Sequence, residues 1–314
     1  MSGYIIKRLA GVVLNLVLVS VLVFLWLGIL PGDPVAAQLG VDATEDQVAQ
    51  FREEKGLNGS IFERYTSWAG GVLTGDFGDS LRSDTPVMHD FRRKLPITLE
   101  IVVLSFSMTT IFGITGGIIS ARSQNSAADY GMRLLAVAGL SIPNFLLLTL
   151  LLVIPARLWG YAPPFSSVRI LDDPISNLEL ILPATFLLAI SSSAGLMRLT
   201  RTAFLDVFRQ DYMRTARAKG LTENAVTFRH GFRNALPPVL TLTGLQLGNL
   251  LGGSVILETI LGLPGLGTWF LSAISFNDYP IVMVSALYTA FTLMMISLVI
   301  DVAYAWLDPR IRYT

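Results

Sequence analysis

The stretch DYMRTARAKG, residues 211–220, sets Arg214, Arg217 and Lys219 among small alanines at Ala216 and Ala218. LTENAVTFRHGFRNALPP follows directly and adds Arg229, His230 and Arg233. A basic, alanine-rich helix can bind nucleic acid, bind lipid headgroups, mark membrane topology or dock to a partner protein. Other chemistries lack their residues. A phosphate-cradling loop needs GxxxxGK[ST], because backbone N–H groups and a lysine must meet the phosphates. The glycine-rich GLPGLG at 262–267 carries no lysine and reads as a turn or re-entrant element. There is no HExxH, no nucleophile–base pair and no carboxylate cluster inside the apolar runs. The chain has no cysteine, which excludes disulfides, iron–sulfur clusters and thiolate zinc sites and leaves the redox compartment open. His89 and His230 lie far apart, so a histidine-rich metal site is not expected.

Ion-coupled transport needs charged or titratable groups near mid-membrane. Here Glu100, Glu258 and Asp301 sit near the ends of apolar runs. The deeper polar residues are Asn144, Gln246 and Asn249, which are candidates for a substrate path. Each has hydrogen bonding between helices as its alternative role.

The elements that must position these residues are apolar. The sequence is 52% hydrophobic and 15% charged, with mean hydropathy +0.59. A soluble domain carries about 25% charged residues, so this is a polytopic membrane composition. The formal net charge is zero, which argues against bulk nucleic-acid affinity. The first run, 9–30, spans roughly 33 Å and follows Lys7 and Arg8; it is too long for a signal-peptide core and reads as an uncleaved anchor. Five more spans are expected at 97–121, 133–154, 180–199, 236–257 and 281–306. Small residues recur within them: Gly113, Gly116 and Gly117 in the second, and Gly244, Gly248 and Gly252 at four-residue spacing in the fifth. Such residues let helices approach closely in a membrane.

Loop charge sets the orientation. Arg122 and Arg133 flank one loop, and Arg310 and Arg312 lie at the end of the chain. The segment 198–233 holds Arg198, Arg201, Arg209, Arg214, Arg217, Lys219, Arg229 and Arg233 against Asp206, Asp211 and Glu223. The opposite side has Arg157 and Arg169, and no basic residue from 258 to 278. Both termini are therefore expected in the cytoplasm. The long 31–96 segment is exempt from the rule despite its lysines and arginines. Within it, TEDQ at 44–47 and SIFE at 60–63 have capping-box spacing, with Gly56 and Gly70–Gly71 as the expected stops. The two short amphipathic helices form either a small outer cap or a pair lying on lipid. In the basic segment, 211–219 reads as a short helix, Gly220 as its left-handed stop and Thr222 as the cap of a second helix. Small side chains with projecting cations suit insertion into a protein groove. Phe204, Phe208, Phe228 and Phe232 in the flanks keep lipid contact open.

DYMRTARAKGL followed by FRHGFRNALPP resembles the EAA loop of binding-protein-dependent ABC importer permeases. The likeness is to the dipeptide/oligopeptide/nickel branch, first-subunit type. It extends along the chain through LPGDPV (30–35), GDFGDS (75–80), LPITLE (95–100), GLPGLG, DYP (278–280) and LDPRIR (307–312). The sequence departs from the general pattern at Arg214–Thr215–Ala216, where the glutamate and second alanine are replaced, and at His230, where isoleucine is usual. The resemblance implies an all-α, type I ABC importer permease fold with six transmembrane helices and a helical segment outside. It divides the chain into a first helix (1–30), an extracytoplasmic segment (31–96) and a five-helix core (97–314) with its coupling loop at about 200–236. Asp211, Arg214, Thr215, Ala216, Arg217, Ala218, Lys219 and Gly220 would then couple to an ATPase. Implied partners are a second permease subunit, two ATP-binding subunits and a solute-binding protein, in a bacterial or archaeal cytoplasmic membrane and without nucleic acid. ATP and magnesium would be held by the partner subunits, so this chain is expected to carry no cofactor and no catalytic centre. Short peptides are the expected solutes, with nickel, glutathione-like compounds and oligosaccharides as alternatives. A channel or secondary transporter working without ATP is the rival class, and a non-transport scaffold is a third.

Overall fold

The structure is a computed structural model, and it describes residues 2–29, 34–40, 42–161 and 170–307. Pro31–Gly32–Asp33 after the first span, Arg169, and the terminal Arg310 and Arg312 lie outside the described residues. In chain order the helices are α1 (Ser2–Ile29), α2 (Pro34–Leu39), α3 (Glu45–Glu54), α4 (Ile61–Thr74), α5 (Val87–Arg122), α6 (Ala127–Ser141) and α7 (Asn144–Trp159). Then come α8 (Pro174–Phe208), α9 (Asp211–Ala218), α10 (Glu223–Ala225), a π-helical segment (Val226–Gly231), α11 (Phe232–Leu261), α12 (Leu266–Ser275) and α13 (Tyr279–Leu307). Among the described residues the fold is all-helical apart from one isolated bridge, Asp79 to Pro86. Among the described residues, five helices are long and apolar enough to cross a membrane, or six if the bent pair α6–α7 counts as one.

That pair departs from the expected third span, 133–154, which reads as one continuous helix. The axis turns by 92° between Ser141 and Asn144. The cause is Pro143. Proline drives the preceding residue out of the helical region, and Ile142 is extended at φ −97°, ψ 121°. The helix restarts directly after the proline, at Asn144. The other spans are longer than their apolar runs suggest. α5 starts ten residues early, through the polar turns around His89 and Arg92, because hydropathy marks where lipid begins and not where the helix does.

Two compact units are distinguished by internal packing. One comprises residues 1–98 and 264–295, the other 99–263 and 296–312. In the first, α4 packs on α1: Phe24 meets Tyr65 edge-on at 5.4 Å, Trp68 lies 6.4 Å from Phe24, and the Ser20 and Tyr65 hydroxyls are 2.9 Å apart. Both capping boxes form, at Thr44/Gln47 and Ser60/Glu63. The Ser60 backbone N–H and hydroxyl both donate to the Glu63 carboxylate and hold its pKa below the ordinary value. The stop expected at Gly70–Gly71 is displaced: α4 continues to Thr74 and ends at Gly75, φ +86°. Gly71 instead gives room to the returning chain, since a Cβ there would lie 2.9 Å from the Asp76 carbonyl oxygen. A second cluster joins Val87, Leu266, Trp269, Ala273, Ile281, Val282 and Val284.

In the second unit α8 is the central helix, with 61% of its apolar window buried. Its start is capped by Asp173, whose carboxylate accepts from the Ser176 hydroxyl at 2.7 Å and from the Ser176 and Ile175 N–H groups. Those bonds, that of the Ser176 hydroxyl first, lower its pKa. α5 lies against α8 along the glycine stripe. A Cβ on Gly113 would meet the Leu196 side chain at 2.7 Å, and one on Gly117 would lie 2.5 Å from Thr200 Cβ and 2.8 Å from the Met197 carbonyl oxygen. Gly117→Leu should therefore lower the apparent unfolding midpoint in detergent, since overpacking costs about 1–3 kcal/mol and a backbone atom cannot swing away. Gly131→Ala, with nothing within 4 Å, is the control. Equal midpoints for the two variants would overturn the close-approach reading. The spaced glycines of α11 divide: Gly244 packs on Ile300 of α13, whereas Gly252 has no neighbour within 4 Å.

Candidate coupling loop and polar belt

The α8–α11 connection is built around a buried apolar pair. Met213 and Ala216, one turn apart on α9, are 0% and 6% exposed and pack with Val226 against Val207 and Phe208. Ala216 thus faces inward. This corrects its expected role as a small residue presented to a partner, while Ala218 remains exposed. Phe204 anchors the base, 1% exposed and flanked by Phe208 at 5.7 Å and Phe232 at 6.2 Å. Burying such a ring contributes about 3 kcal/mol.

The loop's shape is set by its stop. Gly220 has φ +76°, the left-handed conformation that glycine adopts without steric cost. Its N–H donates to the Arg217 carbonyl at 2.9 Å, and the Leu221 N–H donates back to the Ala216 carbonyl at 3.4 Å. This paired pattern is a Schellman motif. Thr222 then opens α10, its hydroxyl oxygen accepting from the Ala225 N–H at 3.4 Å.

The three cations separate in role. Arg217 bridges the turn: Nε donates to Glu223 Oε1 at 2.8 Å and Nη2 to Glu223 Oε2 at 3.5 Å, with Phe208 beneath the guanidinium at 5.9 Å. Its side chain is 38% exposed and that of Glu223 55%, so this is a surface pair and Arg217 stays on the outer face as expected. Arg214 reaches Asp211 only at 3.6 Å, with side chains 75% and 96% exposed, an ion pair worth little in water. Arg214, Thr215, Arg217 and Lys219 are exposed, joined by Tyr212.

Sequence reasoning missed three features here. The Tyr212 hydroxyl accepts from Asn234 Nδ2 at 3.0 Å, and the same nitrogen donates to the His230 carbonyl, tying α9 to α11. The π-helical turn of 226–231 carries no spacing signal that reading by a 3.6-residue period could find. A buried ion pair joins α6 to α8: Arg201 Nε and Nη2 donate to the two Asp129 oxygens at 2.8 and 2.9 Å. The Ser120 hydroxyl and the Asn125 N–H also donate to Asp129, at 2.5 and 3.0 Å. Its signal was present, since Ser126 and Asp129 have N-cap spacing at the start of α6.

Two of the three candidate path residues converge on α8. Asn144 bonds with the Ser191 hydroxyl, and Gln246 Nε2 donates to the Ser192 carbonyl at 2.8 Å. These bonds cross from α7 and α11 to neighbouring residues of α8, which matches the alternative role for both. Asn249 is exposed on α11. No group of three or more His, Cys, Asp or Glu among the described residues could hold a metal ion.

Among the described residues the fold is helical, with several membrane-length spans and a packed, charged loop between two of them, which is the form of a membrane transport subunit. Known proteins bear this out. The sequence profile of the binding-protein-dependent transport system inner membrane component matches residues 113–313, and the N-terminal profile of the same systems matches 1–102. The oligopeptide transport system permease protein AppB of Bacillus subtilis is 39% identical, with 100% of both chains covered. The glutathione transport system permease protein GsiC of Escherichia coli K12 is 38% identical, again with 100% of both covered. A solved methionine ABC transporter, MetNI in an inward-facing form, matches with TM-score 0.52 at 17% identity, over 70% of this chain and 97% of the other. The chain belongs to the binding-protein-dependent transport system inner membrane component family: it is a permease subunit of an ABC importer. Such a permease works with ATP-binding and solute-binding partners.

Proposed function

We propose that this permease carries short peptides, or a small peptide-like solute such as glutathione, across the cytoplasmic membrane. The observation that carries the reading is the full-length likeness to both an oligopeptide and a glutathione permease. Nickel chelates and oligosaccharides are the less favoured solutes. In this reading both termini and the α8–α11 loop are cytoplasmic, and ATP is hydrolysed by separate subunits. Two ATP-binding subunits and a second permease complete the assembly. α9 is the handle that seats in a groove of the ATPase. Arg214, Thr215 and Lys219 face that groove, with Tyr212 beside them. Met213 and Ala216, packed with Val226 against Val207 and Phe208, tie the handle to α8, so nucleotide-driven movement passes into that helix rather than bending the loop. Charge on Arg214 and Lys219 favours orientation more than raw affinity.

The test is purification from the native membrane, then uptake in vesicles. ATP-binding subunits should co-purify, and tripeptide uptake should require both ATP and the binding protein. Absence of those subunits, together with solute flux in ATP-free vesicles, would overturn the reading in favour of a channel or secondary transporter.

A further inference from the structure

We propose that Arg82 and the cavity beside it form a carboxylate-binding site on the face that the proposed topology places outside. The inference rests on the peptide-permease reading and names the chemistry of a contact within it. All residues involved belong to the first unit.

Arg82 rides on a loop that is pinned at both ends. The Ser80 N–H donates to the Thr85 carbonyl at 3.0 Å and the Val87 N–H to the Gly78 carbonyl at 3.0 Å. Ser80 Oγ accepts from the Arg82 and Ser83 N–H groups at 3.2 and 3.1 Å, while its own hydroxyl donates to Asp278 Oδ2 at 2.5 Å. Leu81 N–H donates to Asp278 Oδ1 at 3.2 Å. Asp278 is 2% exposed and both its oxygens are engaged. The guanidinium lies 3.7 Å above the Phe276 ring centroid, and the Phe276 carbonyl accepts from Gln38 Nε2 at 2.8 Å. Two non-glycine residues flank the arrangement in left-handed backbone, Asp84 at φ +54° and Asn277 at φ +53°. Aspartate and asparagine tolerate that backbone, which lets both turns close tightly.

This arrangement suits an anion. The Phe276 ring holds the guanidinium carbon in place, and a guanidinium offers the fork of N–H groups that matches a carboxylate in bidentate fashion. No ion pair within the described residues engages Arg82. The adjoining cavity, about 330 Å³, is lined by Arg82, Ser80, Ser83, Ser272, Trp269, Phe276 and Asp278 among others, and the Asp278 carboxylate is taken up by the Ser80 hydroxyl and the Leu81 N–H. That is the small end of the range for ligand sites, large enough for one chain terminus and too small for a whole oligopeptide. The Ser80 hydroxyl is committed to Asp278, so the hydroxyls that can turn a hydrogen to a carboxylate beside the guanidinium are those of Ser83 and Ser272. The carboxylate is supplied either by the C-terminus of the arriving solute or by an acidic side chain of the delivering binding protein.

The experiment uses the complete transporter in proteoliposomes with its binding protein. Trialanine and trialanine amide are the probes, and Arg82→Gln, Arg82→Lys and Phe276→Leu the variants. If the solute supplies the carboxylate, Arg82→Gln should raise KM for trialanine about tenfold with kcat little changed, a loss of about 1.4 kcal/mol. KM for the amide should not change. Arg82→Lys should restore only part of the loss, because an ammonium neither stacks flat nor forks. Phe276→Leu should shift KM in the same direction by a smaller factor. If the binding protein supplies the carboxylate, both probes should weaken alike and the Kd of the binding protein for the transporter should rise about tenfold. Wild-type uptake and docking in Arg82→Gln would overturn the site. Failure of the unaltered transporter to take up trialanine would overturn the peptide reading instead, and the docking measurement would still decide the site.

Discussion

Gly220→Val should lower ATP-dependent uptake more than tenfold while the assembled transporter still hydrolyses ATP. The effect comes from backbone, not from crowding. A Cβ at Gly220 meets nothing within 4 Å, yet the residue sits at φ +76°. Left-handed backbone costs an ordinary L-residue about 1–2 kcal/mol, and a β-branched residue is a genuine outlier there. The chain escapes that cost by leaving the left-handed region. It then loses the Gly220–Arg217 and Leu221–Ala216 hydrogen bonds, each worth about 1 kcal/mol. The two penalties are comparable, so the variant populates loops that point α9 elsewhere, and a handle with several orientations transmits less displacement. A series separates this cause from others. Gly220→Asn should stay near wild type, since asparagine tolerates left-handed backbone, and Gly220→Ala should fall between. Wild-type uptake in the valine variant would sink the proposal, and so would an asparagine variant as impaired as the valine one. The two readouts are uptake and ATP hydrolysis in the same proteoliposomes.

How far the sequence discloses this loop depends on the range of the interaction. Gly220, Thr222 and both capping boxes follow from residues within four positions of each other, and local rules reach them. The number and order of apolar runs is likewise legible, because each run is long enough to average out single residues. The break at Pro143 was written in the sequence, yet a proline inside a span is ambiguous. Pro96, Pro155 and Pro183 lie within continuous helices here. What distinguishes Pro143 is an axis turn that only the three-dimensional packing reveals. The direction of Ala216 was misread for a similar reason. Its small size fits either a partner's groove or a tight interior, and the arbiter is Val226, ten residues away. Arg217 does project, but its pairing with Glu223 across the turn joins two helices and lies outside the rules for either one. The cavity beside Arg82 joins residues almost two hundred positions apart, and no window of sequence contains it.

Arg201→Met and Asp129→Leu should each lower the stability of the solubilised subunit strongly, and combining the two should recover much of the loss. The Asp129 side chain is 0% exposed and that of Arg201 21% exposed, so the pair sits mostly out of water. Removing one partner strands the other, at a cost of about 3–5 kcal/mol, whereas replacing both with apolar groups of similar volume is often close to neutral. Arg201→Met carries the larger penalty of the two, because it leaves the fully buried charge of Asp129 with only the Ser120 hydroxyl and the Asn125 N–H. Those two bonds fix the α5–α6 turn, and the guanidinium fixes that turn to α8. α8 continues from Arg201 to Phe208, the ring beneath Arg217 in the loop. The pair therefore holds the frame against which α9 is mounted. The measurement is a double-mutant cycle on apparent unfolding midpoints in detergent, with uptake measured beside it. Coupling of about 2 kcal/mol or more between the sites is the expected result, the upper part of the range for residues in direct contact. If the single losses simply add, the two side chains act independently and the frame must be held by the apolar contacts of Ile118, Ala203 and Phe204 alone.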